Sequence, residues 1–205
     1  MGFDALSIPS NFNIVSLSGA GVASDNVIGI NPASNLQSDS KLGFSTNNWI
    51  LGIRGSALYY SENSFHINYH SFGVDDIEVR SKIPSDDPLD VIGSNIYCLR
   101  VSKSYNVFKK LNLGIGTQFS HSQIFTEKKS SFTYNLGARL SVLKGLSFGG
   151  VIKNIGASKY EIPSIYCLGA SYINEKIKAE VMFDFEYSDR YKFGYNFGLL
   201  KRLSI

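Results

Sequence analysis

The feature that most constrains the fold is an alternation of apolar and polar residues between residues 111 and 199. In each alternating segment one parity is rich in Phe, Tyr and Leu, while the other holds Gly, Ser, Asn and charged residues. A period of two predicts β-strands with one apolar and one polar face. The segments are residues 111–121, 132–142, 146–153, 177–187 and 191–199.

These segments are long for strands of a soluble protein. Strands of soluble sandwiches usually contain about five or six residues, whereas these run to about ten, the length that a tilted strand needs to cross a bilayer. The apolar face carries no charge and must meet either a second sheet or lipid. The polar face must be hydrated, because charged residues lie near its strand centres, and the strand length favours a transmembrane barrel. These charged residues are Arg139, Lys153, Glu180, Asp184 and Glu186.

The same pattern, followed along the chain, predicts an all-β fold of about ten antiparallel strands in a meander. Short connections alternate with longer ones, as in outer-membrane barrels, whose short turns face the periplasm. The longer predicted connections are residues 73–93, 125–130 and 156–163. The predicted strands are residues 41–48, 53–60, 64–72, 94–105, 111–124, 131–142, 146–155, 164–173, 177–187 and 191–199.

The longest predicted connection is acidic. A solvated outer loop is the simpler interpretation of its aspartates, and a divalent-cation site is the alternative. The aspartates are Asp75, Asp76, Asp86, Asp87 and Asp90.

Composition bounds the remaining function classes. The 205 residues fit one domain, and 20 Lys and Arg against 17 acidic residues give a net charge of +3, which predicts no nucleic-acid partner. No apolar run approaches the length of a spanning helix, but barrel strands are half polar and escape that criterion. Cys98 and Cys167 both lie on the polar face. If their strands are several places apart they cannot be bridged, so we expect two free thiols.

The sequence offers no catalytic or metal motif. His66 and His70 share one strand face about 13 Å apart, too far to chelate one ion. Neither a nucleophile elbow, a P-loop nor an H-E-x-x-H motif occurs. We therefore predict no enzyme and no cofactor. On the polar face we expect ion pairs rather than an acid/base pair, with Glu180, Asp184 and Glu186 facing Arg100, Arg139 and Lys153.

Residues 1–40 do not alternate and are predicted to form a separate N-terminal region, with the barrel strands in residues 41–205. Gly19 and Gly21 permit tight turns, and Pro32 fixes φ after a restricted Asn31. The region is either a loose arm or a compact hatch inside the barrel.

The glycines within the strands fall on the polar face, where glycine weakens a strand unless something approaches closely. A hatch packed inside the lumen would explain them, and so would sharp curvature of the sheet. These glycines are Gly114, Gly116, Gly137, Gly149, Gly169, Gly194 and Gly198.

One observation opposes the membrane interpretation. Residues 1–10 show neither a basic n-region nor an apolar h-region, so they hold no secretion signal. An outer-membrane protein needs one. Either the sequence lacks its true start or the barrel interpretation is wrong.

Several motifs together resemble one family of outer-membrane proteins. Residues 18–24 (SGAGVAS) and 29–34 (GINPAS) resemble the N-terminal "GGAGVA … NPA" signature of the PorV/PorQ-type β-barrels, relatives of the FadL long-chain fatty-acid transporters. Residues 42–50 resemble the first strand of that family. Residues 145–156 (GLSFGGVIKNIG) and 162–172 (IPSIYCLGASY) resemble its "GAAVKNLG … P … LRLGASY" pair.

The resemblance implies an outer-membrane barrel with an N-terminal hatch carried by Gly19, Gly21, Asn31, Pro32 and Ala33. FadL-like barrels have fourteen strands, so we expect a chain truncated at its C-terminus, with truncation at its N-terminus as a further alternative. The implied function is a non-enzymatic component of a type IX-like secretion system that contacts secretion proteins or secreted cargo. A FadL-like channel for hydrophobic small molecules is the first alternative, and a soluble lipid-binding β protein is the second.

Overall fold

The computed structural model describes residues 12–34, 40–82, 86–156, 162–188 and 192–201. Its strands form one antiparallel sheet in which each strand pairs with the next in chain order. A short helix, α1 (Phe12–Ser16), precedes the sheet, and a 3-10 turn occupies Ile50–Gly52. The strands are β1 (Lys41–Asn48), β2 (Arg54–Glu62), β3 (Phe65–Val79), β4 (Asp90–Phe108), β5 (Leu111–Ile124), β6 (Glu127–Leu143), β7 (Leu146–Ile155), β8 (Ile165–Asn174), β9 (Ala179–Ser188) and β10 (Lys192–Lys201).

The predicted meander of ten strands is confirmed. Strands β1, β5 and β7 begin and end at the predicted residues. Because alternation depends only on the period of the pleat, it identifies strands even where neighbouring connections are misjudged.

The predicted acidic loop at residues 73–93 is wrong. β3 continues to Val79 and β4 begins at Asp90, so most of this stretch is an extended hairpin. An irregularity between Val74 and Ile77 interrupts the β3–β4 register, and Asp76 there has a positive φ of 60°. Such a bulge shifts the parity by one residue, which hides the continuing strand from a count of period two.

The predicted connection at residues 125–130 is also wrong, because β6 already begins at Glu127. Register pairing of Ile124 with Glu127 leaves only a tight turn between β5 and β6. The polar run Glu127–Ser131 conceals this part of the strand, since it extends β6 without apolar residues.

The two faces of the sheet differ in the way that the alternation predicts. The Phe, Tyr and Leu side chains lie on the outer face, where Phe148 is 47% exposed and Tyr195 is 70% exposed. Polar side chains of the inner face are buried, with Gln118 and Asp184 only 2% and 1% exposed. The predicted outward direction of the apolar face is therefore confirmed.

Residues 12–34, called the N-terminal segment from here on, lie against the inner face. The apolar core is formed between this segment and the sheet rather than between two sheets. Its buried members are Leu17, Ala20, Val22, Val27 and Ile30 from the segment, and Val151, Cys167 and Met182 from β7, β8 and β9. Residues 1–11 and 35–39 of the predicted N-terminal region lie outside the described residues.

The sheet is open within the described part of the chain. β1 pairs only with β2, and β10 pairs only with β9. Cys98 on β4 and Cys167 on β8 are both buried and free, which confirms the prediction of two thiols. Among the described residues, no helix is long and apolar enough to cross a membrane.

Candidate functional site: the interface between the N-terminal segment and the inner face

Asp184 on β9 holds the first turn of the N-terminal segment. Its Oδ2 accepts hydrogen bonds from the backbone N–H groups of Gly21 at 2.6 Å and Val22 at 2.9 Å. Across the β8–β9 pair Asp184 faces Gly169, where a Cβ would collide with the Asp184 carboxylate and with Val22. A buried carboxylate that accepts two backbone N–H bonds is a strong, charge-assisted anchor.

Arg139 on β6 holds the next residues of the segment. Its Nε donates to the carbonyl oxygen of Ala23 at 2.8 Å, and one terminal nitrogen lies 2.8 Å from the Asp25 carboxylate. The Ser171 hydroxyl on β8 donates to the same Ala23 carbonyl at 3.1 Å. The guanidinium group, 8% exposed, thus binds both a backbone carbonyl and a carboxylate of the segment.

The ion pairs expected across the inner face are not formed among the described residues. Arg139 pairs with Asp25, and Glu180 accepts a hydrogen bond from the Asn26 side-chain amide at 2.6 Å. Arg100 donates to the Gly29 carbonyl at 2.6 Å and to Gln118. The N-terminal segment provides partners for Arg100, Arg139, Glu180 and Asp184, which a count of charges on strands cannot reveal.

Asn31 organises the second turn of the segment. Its side-chain oxygen accepts a hydrogen bond from the Ala33 N–H at 2.9 Å, which closes a local turn. Its side-chain nitrogen donates to the Val22 carbonyl at 2.7 Å and to the Ala138 carbonyl on β6 at 3.1 Å. One asparagine thereby joins the two turns of the segment and ties both to the sheet.

The end of the segment is held at β3. The His66 ring contacts the Ser34 carbonyl at 3.0 Å through Nε2 and the Ser61 hydroxyl at 2.7 Å through Nδ1. The Ser34 hydroxyl donates to the Ser24 carbonyl at 2.9 Å, so the segment folds back on itself. His66, excluded as a metal ligand by spacing, has a structural role that sequence reasoning missed.

Inward glycines admit the backbone of the segment. A Cβ at Gly114 or Gly149 would lie closer than 3.0 Å to backbone atoms of the segment, which real Cβ atoms essentially never do. The close approach predicted for the glycines is confirmed where the segment is the neighbour, at Gly114, Gly137, Gly149, Gly169 and Gly198. It does not extend to the other two. Gly116 faces β4 around Ser102, and Gly194 has no atom within 4 Å.

The segment is reached from strands β3 to β10, which requires a curled sheet. Eight strands about 4.8 Å apart would span roughly 34 Å if the sheet were flat, whereas a compact segment of this length is roughly 15–20 Å across. Side chains of a flat sheet point in parallel and could not converge on it. The contacts, from β3 to β10, come from His66, Arg100, Gly114, Arg139, Gly149, Ser171, Asp184 and Gly198.

The remaining residues singled out from the sequence lie at or near this interface. Gly19 and Gly21 have positive φ values of 84° and 145° and form the first turn. Pro32 and Ala33 form the second turn, against Gly114. Glu186 accepts a long contact of 3.4 Å from the Cys167 thiol, and Lys153 is half-buried on β7.

Sequence reasoning missed the acceptors and donors of the segment itself. Asp25 and Asn26 bind Arg139 and Glu180, yet in the sequence they look like an ordinary acidic turn. Within the described ranges, no group of three or more His, Cys, Asp or Glu side chains is placed to hold a metal ion. The geometry is that of a binding interface, in which sheet side chains hold a backbone.

No protein-family model matches the chain, and the comparison with curated proteins gives no match.

Proposed function

We propose that this protein is an outer-membrane protein whose sheet forms the wall of a transmembrane β-barrel with the N-terminal segment in its lumen. The observation that carries the proposal is the continuous apolar outer face. Large side chains are exposed along it on every strand except β3, including Phe44 at 67%, Leu168 at 66% and Phe197 at 59%. On β3 the outward Phe65, Ile67 and Tyr69 are half-buried. A contiguous apolar surface of this extent needs an apolar environment.

The inner face supports a non-enzymatic role similar to that of the PorV/PorQ-type proteins. The lumen side is mostly polar and is covered by a segment bound through buried hydrogen bonds and an ion pair. A barrel whose lumen is filled in this way leaves its outer loops and rims as binding surfaces for components or cargo of a type IX-like secretion system.

The two alternatives receive less support. A FadL-like channel for hydrophobic molecules needs an apolar path, whereas buried polar residues such as Gln118, Thr133 and Asn135 line the inner face. A soluble lipid-binding β protein would hold its apolar face inside, whereas here that face is exposed.

The open edges set a condition on the membrane form. Unpaired backbone groups cost several kcal/mol each in hydrocarbon, and β1 and β10 each have one unpaired side. We therefore propose that further strands pair with both edges in the bilayer, as in a fourteen-stranded FadL-like barrel.

A matched pair of substitutions tests the membrane face. Tyr195 points outward on β10, and its neighbour Gly194 points inward into open space. The test uses the chain extended by the further strands that are proposed to pair with β1 and β10, expressed in an outer membrane. There Tyr195→Arg should cost about 2–4 kcal/mol near the bilayer midplane and abolish heat-modifiable migration. Gly194→Arg should assemble, and Tyr195→Leu controls for the lost aromatic ring. Equal assembly of the two arginine variants would refute the membrane face.

The closed lumen is tested by conduction. Proteoliposomes holding the assembled protein should neither swell in isotonic sugar nor take up a long-chain fatty acid. Uptake of the fatty acid would favour the channel function over the secretion-partner function.

A further inference from the structure

We propose that the rim at which the tight turns lie binds anionic phospholipid headgroups. The turn rim is defined by the connections β2–β3, β4–β5, β6–β7 and β8–β9, the start of β1 and the end of β10. The inference rests on the proposed membrane orientation of the sheet and adds the chemistry of the lipid that this rim contacts.

Lysines dominate the connections of the turn rim. Exposed lysines occupy three of its four turns, namely Lys109, Lys110, Lys144, Lys176 and Lys178. The start of β1 adds Lys41, the end of β10 adds Lys201, and Lys103 lies on β4 opposite the first residue of β3.

Few carboxylates oppose these lysines. The described carboxylates that end strands or occupy turns here are Glu62 and Glu175. The Glu175 carboxylate lies 3.0 Å from the Lys144 ammonium group, and both side chains are exposed, Glu175 at 67% and Lys144 at 84%. Eight rim lysines against these two carboxylates leave an excess of six positive charges on the rim.

Most lysines of the rim lie beside or near a large apolar side chain that is also exposed. Lys109 follows Phe108 (68% exposed), Lys144 follows Leu143 (67%), and Ile177 (63%) lies between Lys176 and Lys178. The ends of the sheet repeat the pairing, with Lys41 beside Leu42 and Lys201 near Leu199. Lys103 lies over the Tyr105 ring, 5.9 Å from its centroid.

This pairing fits the boundary between hydrocarbon and headgroups. Lysine stems lie along apolar surface while their ammonium groups reach the phosphate layer, and each basic residue near an anionic membrane adds about a fivefold preference. A single acidic peptide would need a local cluster, whereas these lysines are spread from β1 to β10, as a planar lipid layer requires.

Among the described residues, the opposite rim lacks this excess of basic residues. Exposed carboxylates such as Glu78, Asp90 and Glu127 lie there among Arg54, Lys128 and Lys129. If the net charge of +3 of the whole chain were the cause, an anionic lipid would bind equally at either rim. Cations of the opposite rim therefore provide the control.

The test uses the full chain in neutral maltoside micelles doped with dioleoylphosphatidylglycerol or dioleoylphosphatidylcholine. The turn-rim variant replaces Lys109, Lys110, Lys144, Lys176 and Lys178 by Gln. The control replaces the same number of cations on the opposite rim, Arg54, Arg80, Lys82, Lys128 and Lys129, by Gln. Circular dichroism checks that both variants keep the sheet.

We expect the wild type to bind phosphatidylglycerol more tightly than phosphatidylcholine, and the turn-rim variant to lose at least about tenfold of that preference. The control should lose no more than about threefold, and 0.5 M salt should weaken the wild-type preference. Equal binding of both lipids, or equal losses in both variants, would overturn the inference. Displacement of phosphatidylglycerol by poly-glutamate at an equal concentration of negative charge would also overturn it, since the rim would then bind an acidic polypeptide.

A separate readout distinguishes failure of the proposed function. The chain extended by the proposed further strands is mixed with neutral phosphatidylcholine vesicles, and its insertion is measured as protease protection. This insertion depends on the apolar face and not on the lysines. Insertion without a phosphatidylglycerol preference refutes only the headgroup site. A preference in micelles without insertion refutes only the barrel.

Discussion

Adding one methyl group at Gly149 tests whether the N-terminal segment is seated on the sheet. In Gly149→Ala the new Cβ would lie closer than 3.0 Å to the carbonyl carbon and oxygen of Val22 and to the Cα of Ala23. All three are backbone atoms, so no side-chain rotation relieves the clash. Gly194 is the matched control, because it lies on the same face with no atom within 4 Å.

The magnitude follows from what must move. Overpacking by one carbon in a tight interface costs about 1–3 kcal/mol. Displacing Ala23 also lengthens the bonds that its carbonyl accepts from Arg139 and Ser171, each contributing about 1 kcal/mol. We expect Gly149→Ala to lose about 2–4 kcal/mol. Gly194→Ala should be neutral or gain about 0.4–1 kcal/mol, because alanine restricts the unfolded chain.

The assay is unfolding in detergent micelles, followed by circular dichroism against urea and temperature. A change of 1 kcal/mol shifts the melting temperature of a chain of this size by about 2–4 °C, so Gly149→Ala should melt several degrees below Gly194→Ala. Limited proteolysis should cut the N-terminal segment earlier in Gly149→Ala. If Gly149→Ala is as stable as Gly194→Ala and the segment stays protected, the seating described here is refuted.

Three further outcomes follow from the same interface. Asp184→Ala leaves two backbone N–H groups unpaired and should cost about 2–4 kcal/mol in urea unfolding; a loss below 1 kcal/mol would contradict its anchoring role. Arg139→Met should cost about 1–3 kcal/mol, less than a fully buried pair would because Asp25 is 31% exposed; the double variant with Asp25→Asn should recover part of this loss. Cys98 and Cys167 should react with a thiol reagent only after unfolding, since both are buried, and rapid native labelling of either would show that the inner face is open.

The strands and their faces could be predicted because they depend on a local property. Alternation along each strand fixes which side chains share a face, and the meander follows when successive strands are joined by short connections. Prediction failed where the alternation is lost. The irregularity between Val74 and Ile77 shifts the parity within β3, and the polar run Glu127–Ser131 extends β6 without apolar residues.

The partners of the charged residues could not be predicted for a different reason. Whether Arg139 meets Glu180 or Asp25 depends on how tightly the sheet curls and on what fills the space inside. Neither quantity is encoded in the period of a strand. The inward glycines were the one local signal of an occupant, and they indicated close approach without identifying the turn of the segment that each one meets.

The way the segment is recognised explains why it is rich in small residues. Sheet side chains bind its backbone, through the N–H groups of Gly21 and Val22 and the carbonyls of Ala23, Gly29 and Ser34. Its own side chains must therefore be small enough to let that backbone approach the glycines. Withdrawing the segment would exchange each of these bonds for water at a net cost of about 0.5–1.5 kcal/mol, and would also expose the apolar core. The covered inner face is thus the favoured state, and opening it requires a partner that binds the inner face or the segment more strongly than they bind each other.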